Sequence, residues 1–177
     1  MLRRRPARSA PPAAMGEEGS GMVAALYEWL KAGHILMAIV WVGGAVALQV
    51  LATRTMRAQD PERLRIFAGE VEFVGTRIFT PASLLLLLFG IWMVIDSPAW
   101  EFTQFWVIAA LAMFAFSFVS GAFYLGPQSG KLKRLYEAEG ANAAGARELI
   151  GKLFLVSRIE LVLMVLIVLD MVIKPGI

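Results

Sequence analysis

The chain contains a single histidine, His34, and this residue lies within a long apolar stretch. Ionisable side chains inside such stretches are costly in a membrane and are functional candidates for that reason. A neutral imidazole commonly binds haem iron, copper or zinc, or else donates a hydrogen bond to a carbonyl. Trp41 follows seven residues later, two helical turns away on the same face. The sequence therefore leaves two interpretations of His34 open, an axial ligand of haem and a structural hydrogen-bonding group.

Three further ionisable residues lie in the last apolar segment. Asp170 lies about 6 Å before its end, a depth that matches that of His34. A carboxylate there could hold the ring N–H of a ligating histidine, or it could simply reach water. Arg158 and Glu160 lie at the opposite end of the segment. They either neutralise each other at the membrane interface or belong to a basic pocket for an anionic headgroup or the propionates of a tetrapyrrole.

Four apolar segments position these residues, and they cover about 30–51, 78–95, 105–125 and 154–173. A bilayer core needs about 20 apolar residues per helix, and each segment approaches or exceeds that length. The runs lack the alternation of barrel strands, and unpaired backbone groups are costly in lipid. The composition agrees, because 58% of the residues are hydrophobic and only 18% are charged. We predict an all-α polytopic membrane protein that forms a four-transmembrane-helix bundle.

Small residues recur within these segments at helical spacing. Gly33 and Gly44 lie on the first segment, and Ser117 and Gly121 lie four residues apart on the third. Such residues allow helices to approach closely. They predict tight helix packing, either within the bundle or at a dimer face.

Composition also excludes several kinds of chemistry. The chain has no cysteine, which rules out disulfides, iron–sulfur clusters and thiol catalysis. One histidine cannot build a multi-histidine metal site without ligands from elsewhere, so we predict no metal site of this kind. The 177 residues leave no room for a separate catalytic domain beside four spans. The net charge of +3 does not indicate nucleic-acid binding, because the basic residues follow membrane topology.

The distribution of Lys and Arg predicts the orientation. Residues 54–77 carry five of them and residues 131–158 carry six, whereas the connection between the second and third segments carries none. The C-terminal tail carries Lys174 alone. The positive-inside rule then predicts a bacterial inner-membrane protein with both long connections in the cytoplasm and both termini outside.

Both cytoplasmic connections are predicted to be amphipathic or helical extensions of the spans. Leu64, Phe67, Val71 and Val74 form one apolar stripe among charged residues. Residues 131–139 and 147–154 also have helical composition. Residues 1–25 are predicted to be a disordered leader or a mis-assigned start, with Met1, Met15 and Met22 as possible starts and Met22 favoured. Residues 26–177 then form a single membrane domain.

Short motifs resemble those of known membrane proteins. Lys31-Ala-Gly-His34-Ile followed by Trp41-Val-Gly-Gly44 resembles the first helix of HemJ-type membrane protoporphyrinogen oxidases and of CopD-like copper-resistance proteins. Thr80-Pro-Ala82 with Phe89-Gly-Ile-Trp-Met93, and the ending Val172-Ile-Lys-Pro175, are similar to the HemJ type. The resemblance implies a four-helix bundle in which His34 is an axial ligand of b-type haem, with Trp41 and Glu160 matched without a role. The sequence also resembles a sister group of predicted integral membrane proteins of unknown function.

The chain departs from the HemJ type at residues that matter for its activity. The third segment lacks that family's histidines and lysine, and Arg158-Ile-Glu160-Leu161 replaces an Asn-Glu-Pro element. Oxidase activity is therefore disfavoured. Three functions stay open: a haem-associated membrane protein, a non-enzymatic protein that associates with a partner protein or lipid, and CopD-like metal handling. The expected cofactor is accordingly haem b or none. The expected partners are the lipid bilayer, further copies of the chain in a homo-oligomer, and a redox partner of unknown identity.

Overall fold

In the part of the chain that the structure describes, the fold is all-helical, as predicted, with three long helices followed by a shorter fourth one. A computed structural model describes residues 15–140, 143 and 145–176, with side chains from residue 25 onward. Helix α1 comprises Met15–Ala38 and Gly44–Ala58, α2 comprises Pro61–Val74 and Thr80–Asp96, and α3 comprises Phe105–Ser120 and Gly126–Glu139. In each, one π-helical turn joins the two parts, at Ile39–Gly43, Gly75–Phe79 and Gly121–Leu125 respectively. Helix α4 is the uninterrupted Ala146–Ile173.

Three helices of the described chain are long and apolar enough to cross a membrane, and their ranges are Ala25–Ala58, Pro61–Asp96 and Phe105–Glu139. They contain the first three predicted spans. Helix α4 contains the fourth, which differs from the other three in carrying the charged residues Arg158, Glu160 and Asp170. The prediction for residues 1–25 falls largely on residues outside those described; α1 itself begins at Met15.

The turn between α1 and α2 is only two residues long. Gln59 adopts the left-handed conformation (φ 52°) that commonly ends a helix. The Asp60 carboxylate then accepts hydrogen bonds from the backbone N–H groups of Glu62 at 3.0 Å and Arg63 at 3.4 Å. Pro61 occupies the first helical position, where its missing N–H costs nothing. This sharp turn explains why residues 54–77, predicted to be helical, continue α1 and lead directly into α2.

Helices α1 and α2 meet along a seam in which glycines face aromatic rings. A Cβ atom on Gly33 would lie 2.9 Å from the Phe89 ring, and one on Gly44 would lie 2.6 Å from the Phe79 ring. Real Cβ atoms do not approach other atoms that closely, so only glycine allows these rings to fill the space. We call these contacts, together with that of His34 against Gly90, the α1–α2 seam.

Two hydrophobic clusters hold the four helices together. The span cluster consists of Trp41, Leu86, Phe114, Met164 and Ile167. The extension cluster lies where the helices extend beyond their most apolar parts, and it consists of Leu64, Ala68, Leu132, Tyr136, Ala146 and Ile150. Residues 131–139 and 147–154 are helical, as predicted, and they supply much of this second cluster.

The outward surface of the bundle is strongly apolar. Trp29, Phe123 and Val172 are each about three-quarters exposed, at 77%, 76% and 75%. At the end of the bundle where α4 finishes, the Lys174 ammonium lies 3.8 Å from the centroid of the Trp100 ring, and Trp100 Nε1 donates a hydrogen bond to the Tyr27 hydroxyl at 3.3 Å. Tryptophan and tyrosine are typical of membrane–water interfaces. The surface is that expected of a bundle facing lipid.

Candidate functional site

A cavity of about 370 Å³, here called the chamber, lies between the four helices and reaches from the span cluster toward the extension cluster. All three π-helical turns border it: Trp41 comes from the first, Phe79 from the second and Leu125 from the third. A π-helical turn inserts an extra residue into a helix and is often found at functional sites. The common position of the three turns makes the chamber the leading candidate site.

The second π-helical turn shows how the chain tolerates this irregular backbone. Both the backbone N–H and the side-chain hydroxyl of Thr80 donate to the Gly75 carbonyl, the latter at 3.0 Å. The Thr76 hydroxyl donates to the Glu72 carbonyl at 2.8 Å. Hydroxyl groups of this kind satisfy backbone groups that a broken helix pattern exposes inside a membrane. The threonines therefore support a widened backbone next to the chamber.

Helix packing leaves part of the chamber wall thin. The Thr80–Asp96 part of α2 packs against α1, and the Phe105–Ser120 part of α3 packs against α4. Direct packing between α2 and α3 is concentrated in their other parts, Pro61–Val74 and Gly126–Glu139. Thr80 and Ala122, which border the chamber from α2 and α3, are exposed at the surface of the bundle. The chamber therefore has an opening between these two helices.

A layer of polar side chains crosses the chamber and centres on α4. Ser157 and Glu160 lie three residues apart, and both face inward. The Ser117 hydroxyl on α3 donates to Glu160 Oε2. On the other side, Gln49 Nε2 on α1 donates to Ser157 Oγ at 2.6 Å. Four helix-borne polar groups thus converge on a largely apolar cavity, which is typical of a ligand site.

Glu160 is the one fully enclosed carboxylate of this layer. Only 4% of its surface is exposed, and it forms no ion pair with any described residue. The second carboxylate of the chamber, Glu72, pairs with Lys133 at 3.2 Å. Among the described residues that line the chamber there is no lysine, arginine or histidine. The site is therefore acidic, although the whole chain carries a net positive charge.

Aromatic side chains form much of the apolar wall. Trp41 is 6% exposed and packs against Phe114 with ring centroids 5.3 Å apart. Phe79, Phe118 and Phe154 also border the chamber. The structure places Trp41, predicted on the same face of α1 as His34, in this wall, whereas His34 is not among the lining residues. The chamber therefore includes Trp41 but not His34.

His34 belongs to the α1–α2 seam. Its Nδ1 lies 2.9 Å from the Leu86 carbonyl oxygen, which can only accept, so Nδ1 donates and the neutral ring keeps its lone pair on Nε2. The ring lies so close to Gly90 that a Cβ there would be 3.0 Å from His34 Cε1. Both interpretations of His34 survive, because a carbonyl bond at Nδ1 is also the arrangement found in many ligating histidines.

The remaining predicted residues do not gather at one place. The carboxylate of Asp170 has Oδ2 buried without a hydrogen-bond partner in the described chain, and the His34 bond goes to α2 instead. Arg158 is exposed, with its guanidinium carbon 4.2 Å from the centroid of the Phe154 ring, while Glu160 faces inward. Arg158 therefore lies on the outside of the wall that Glu160 lines from within.

Sequence reasoning missed Gln49 and Ser157 as site residues, and also Ser83, which lines the chamber. The i, i+3 spacing of Ser157 and Glu160, continued by Met164 and Ile167, would have identified the inward face of α4. Ser117 was predicted only as a small packing residue, yet it is 2% exposed and binds Glu160. In the parts of the chain that the structure describes, no group of three or more His, Cys, Asp or Glu side chains could hold a metal ion.

Long apolar helices with lipid-facing surfaces define the class of this chain as an integral membrane protein with several membrane-spanning helices. The chain belongs to the family described as "Predicted integral membrane protein (DUF2269)", whose model matches residues 28–175. This match agrees with the resemblance to predicted membrane proteins of unknown function and gives no support to a relation with the HemJ or CopD types. No curated protein and no solved structure matches the chain.

Proposed function

We propose that this protein is a non-enzymatic membrane protein that binds a lipid or another amphiphile in the chamber. The observation that carries the proposal is the combination of an apolar cavity of about 370 Å³ with four converging polar side chains. Ligand pockets commonly have volumes of roughly 300–1,000 Å³ and few polar groups. The opening beside Thr80 and Ala122 faces the apolar surface of the bundle, where a lipid chain would enter.

Two glycines provide a matched test of the proposal. Gly121 borders the chamber and Gly43 does not, and a Cβ on either would meet no atom within 4 Å. Both lie in π-helical turns. We expect purified wild-type protein and Gly43→Leu to bind 1-dodecanol, detected by native mass spectrometry, and Gly121→Leu to lose this binding. Equal binding by all three proteins would contradict a site in the chamber.

We further propose that α4 is a fourth membrane span, in a bacterial inner membrane, with both termini outside. Five Lys and Arg residues in 54–77 and six in 131–158, against Lys174 alone in the tail, support this orientation. A C-terminal alkaline phosphatase fusion should be active, because this reporter folds only outside the cytoplasm. An inactive phosphatase fusion together with a fluorescent C-terminal green fluorescent protein fusion would overturn the four-span orientation.

Haem binding is a second candidate function, and one observation favours it. The hydrogen bond from His34 Nδ1 to the Leu86 carbonyl leaves Nε2 free to ligate iron. The chamber offers less support, because it does not include His34 and the described part of its lining has no basic residue for propionates. Purified protein with a Soret band that is lost in His34→Ala would favour haem. Protein that stays colourless after haem supplementation would exclude it.

A further inference from the structure

We propose that the occupant of the chamber is a cationic amphiphile, with an amine or ammonium head beside Glu160 and an apolar chain along the aromatic wall. This inference rests on the proposed function and adds the charge of the ligand. It follows from the side chains that enclose the chamber, since an acidic, aromatic cavity selects ligands by charge as well as by apolar area.

One carboxyl group of the chamber has no ionic partner among the residues that the structure describes. Glu72 and Glu160 are the two ionisable residues among the described lining, and Glu72 is paired with Lys133. Within the described part of the chain, Glu160 has the Ser117 hydroxyl as a hydrogen-bond donor but forms no ion pair. An enclosed carboxylate without a cation is unfavourable in an apolar environment. A ligand that brings its own positive charge removes this cost, whereas an anionic ligand increases it.

The neighbouring groups suit an ammonium head as well. An ammonium group donates up to three hydrogen bonds and needs acceptors around it. Besides the Glu160 carboxylate, the same polar layer contains the hydroxyl oxygens of Ser117 and Ser157 and the amide of Gln49. Trp41 and Phe118 line the same cavity, and aromatic faces attract cations, most strongly in the absence of water.

Arg158 and Arg77, two basic residues of the helices around the chamber, are not among the residues that line it, so they do not repel a cationic ligand there. Arg158 is the basic residue closest in sequence to Glu160, and it is exposed and stacked on Phe154 outside the chamber. Arg77 is likewise exposed, on the second π-helical turn. Anionic headgroups are therefore attracted to the outer surface of the bundle, and the interior favours the opposite sign.

Two probes of equal chain length separate charge from chain burial. Dodecylamine is cationic at pH 7 and 1-dodecanol is neutral, and their affinities for the full chain are measured in a non-ionic detergent. We expect dodecylamine to bind wild-type protein about tenfold more tightly, because a charge-assisted contact in an enclosed site is worth more than a neutral one. Dodecanoate, the anionic probe, should bind more weakly than 1-dodecanol.

Glu160→Gln keeps the shape of the side chain and an acceptor for Ser117 but removes the charge. We expect the preference for dodecylamine over 1-dodecanol to disappear in this variant, so that it binds both probes equally. The control is Glu70→Gln, which removes an exposed carboxylate of α2 outside the chamber and should keep the preference for the amine.

The outcomes distinguish this inference from the function on which it rests. Equal binding of dodecylamine and 1-dodecanol to wild-type protein, or tighter binding of dodecanoate, would overturn the cationic ligand and leave an amphiphile chamber in place. Absence of binding by all three probes would overturn both. The comparison of probes on wild-type protein tests the charge of the ligand even if Glu160→Gln does not fold. Loss of the preference for dodecylamine in Glu70→Gln would contradict the assignment of this preference to Glu160.

Discussion

The α1–α2 seam and the chamber both contain small residues, but the helices pack closely in the seam and leave a cavity at the chamber. In the seam, Gly33 and Gly44 each face an aromatic ring at a distance that excludes any side chain. In the chamber, Gly121 faces open space, and the Ser117 hydroxyl on α3 donates to Glu160 on α4. Small residues in a membrane helix therefore have two effects. They close an interface when a ring lies opposite, and they leave a cavity when nothing does.

The largest change in stability is expected from a substitution in the seam. Gly44→Leu would place side-chain atoms inside the Phe79 ring, because the Cβ alone would lie 2.6 Å from it. Overpacking of this kind costs about 1–3 kcal/mol, and we expect a value near the upper end. The free energy of unfolding is measured in detergent by chemical denaturation. Gly43→Leu is the control, since a Cβ on this neighbouring glycine would meet no atom within 4 Å.

A second variant determines whether Phe79 is the cause. Phe79→Ala should cost stability by itself, yet the double variant Gly44→Leu/Phe79→Ala should be more stable than the sum of the two single effects predicts. Strict additivity would mean that the leucine clashes with something other than this ring, and the seam would lose its distinction from the chamber.

Replacing polar residues in the chamber should raise the free energy of unfolding, whereas the substitution Gly44→Leu in the seam lowers it. Replacing both members of the Ser117–Glu160 pair by apolar residues, in Ser117→Ala/Glu160→Leu, removes an enclosed carboxylate that forms no ion pair with any described residue. Such replacements are often stabilising, and we expect a gain of about 1–2 kcal/mol in the free energy of unfolding. Binding of 1-dodecanol and dodecylamine to the same protein should weaken. A clear loss of stability would show that the pair holds α3 and α4 together.

The sequence was sufficient to predict the helices but not which helix faces form the site. Apolar length gave the all-helical fold, and the stripe containing Leu64 gave the extension of α2, because both depend on residues near each other in the chain. The partner of Gly44 is Phe79 and that of Ser117 is Glu160, at separations that no local pattern encodes. The four-residue spacing of small residues predicts close packing at Gly121, within the bundle or at a dimer face. Inside the bundle, the structure has a cavity at Gly121, and the dimer face stays a prediction.

The predicted site residues illustrate the same limit. The matching depths of His34 and Asp170 in the membrane allow a contact between them, with water as the alternative partner of Asp170, but depth does not fix the direction in which a side chain points. The rotation of α1 instead brings His34 to the Leu86 carbonyl of α2. Arg158 and Glu160, two residues apart, lie about 200° apart around a helix and so face different surroundings. Glu160, expected with Arg158 either to form a neutralising pair at the membrane interface or to belong to a basic pocket, is the most enclosed charged residue among those described.

A smaller effect is expected where His34 meets the seam. Gly90→Ala would place a Cβ 3.0 Å from His34 Cε1, so the ring must move and its bond to the Leu86 carbonyl lengthens. A single hydrogen bond of this type contributes about 1 kcal/mol. We expect a loss of about that size in unfolding experiments. In the His34→Ala background Gly90→Ala should cost almost nothing, and an undiminished cost would place the strain elsewhere.

The smallest effect is expected at Gly121, and it tests the comparison most directly. If Gly121 were a packing glycine like Gly33, the change Gly121→Ala would destabilise the bundle by steric overlap. Since a Cβ there meets no atom within 4 Å, the substitution should instead stabilise the protein by roughly 0.5 kcal/mol, because alanine loses less backbone entropy than glycine in a helix. Gly33→Ala, with its Cβ 2.9 Å from the Phe89 ring, should destabilise under the same conditions. Opposite signs for these two glycines would separate an open chamber from a closed seam, and a common sign would remove the distinction on which the proposed binding site depends.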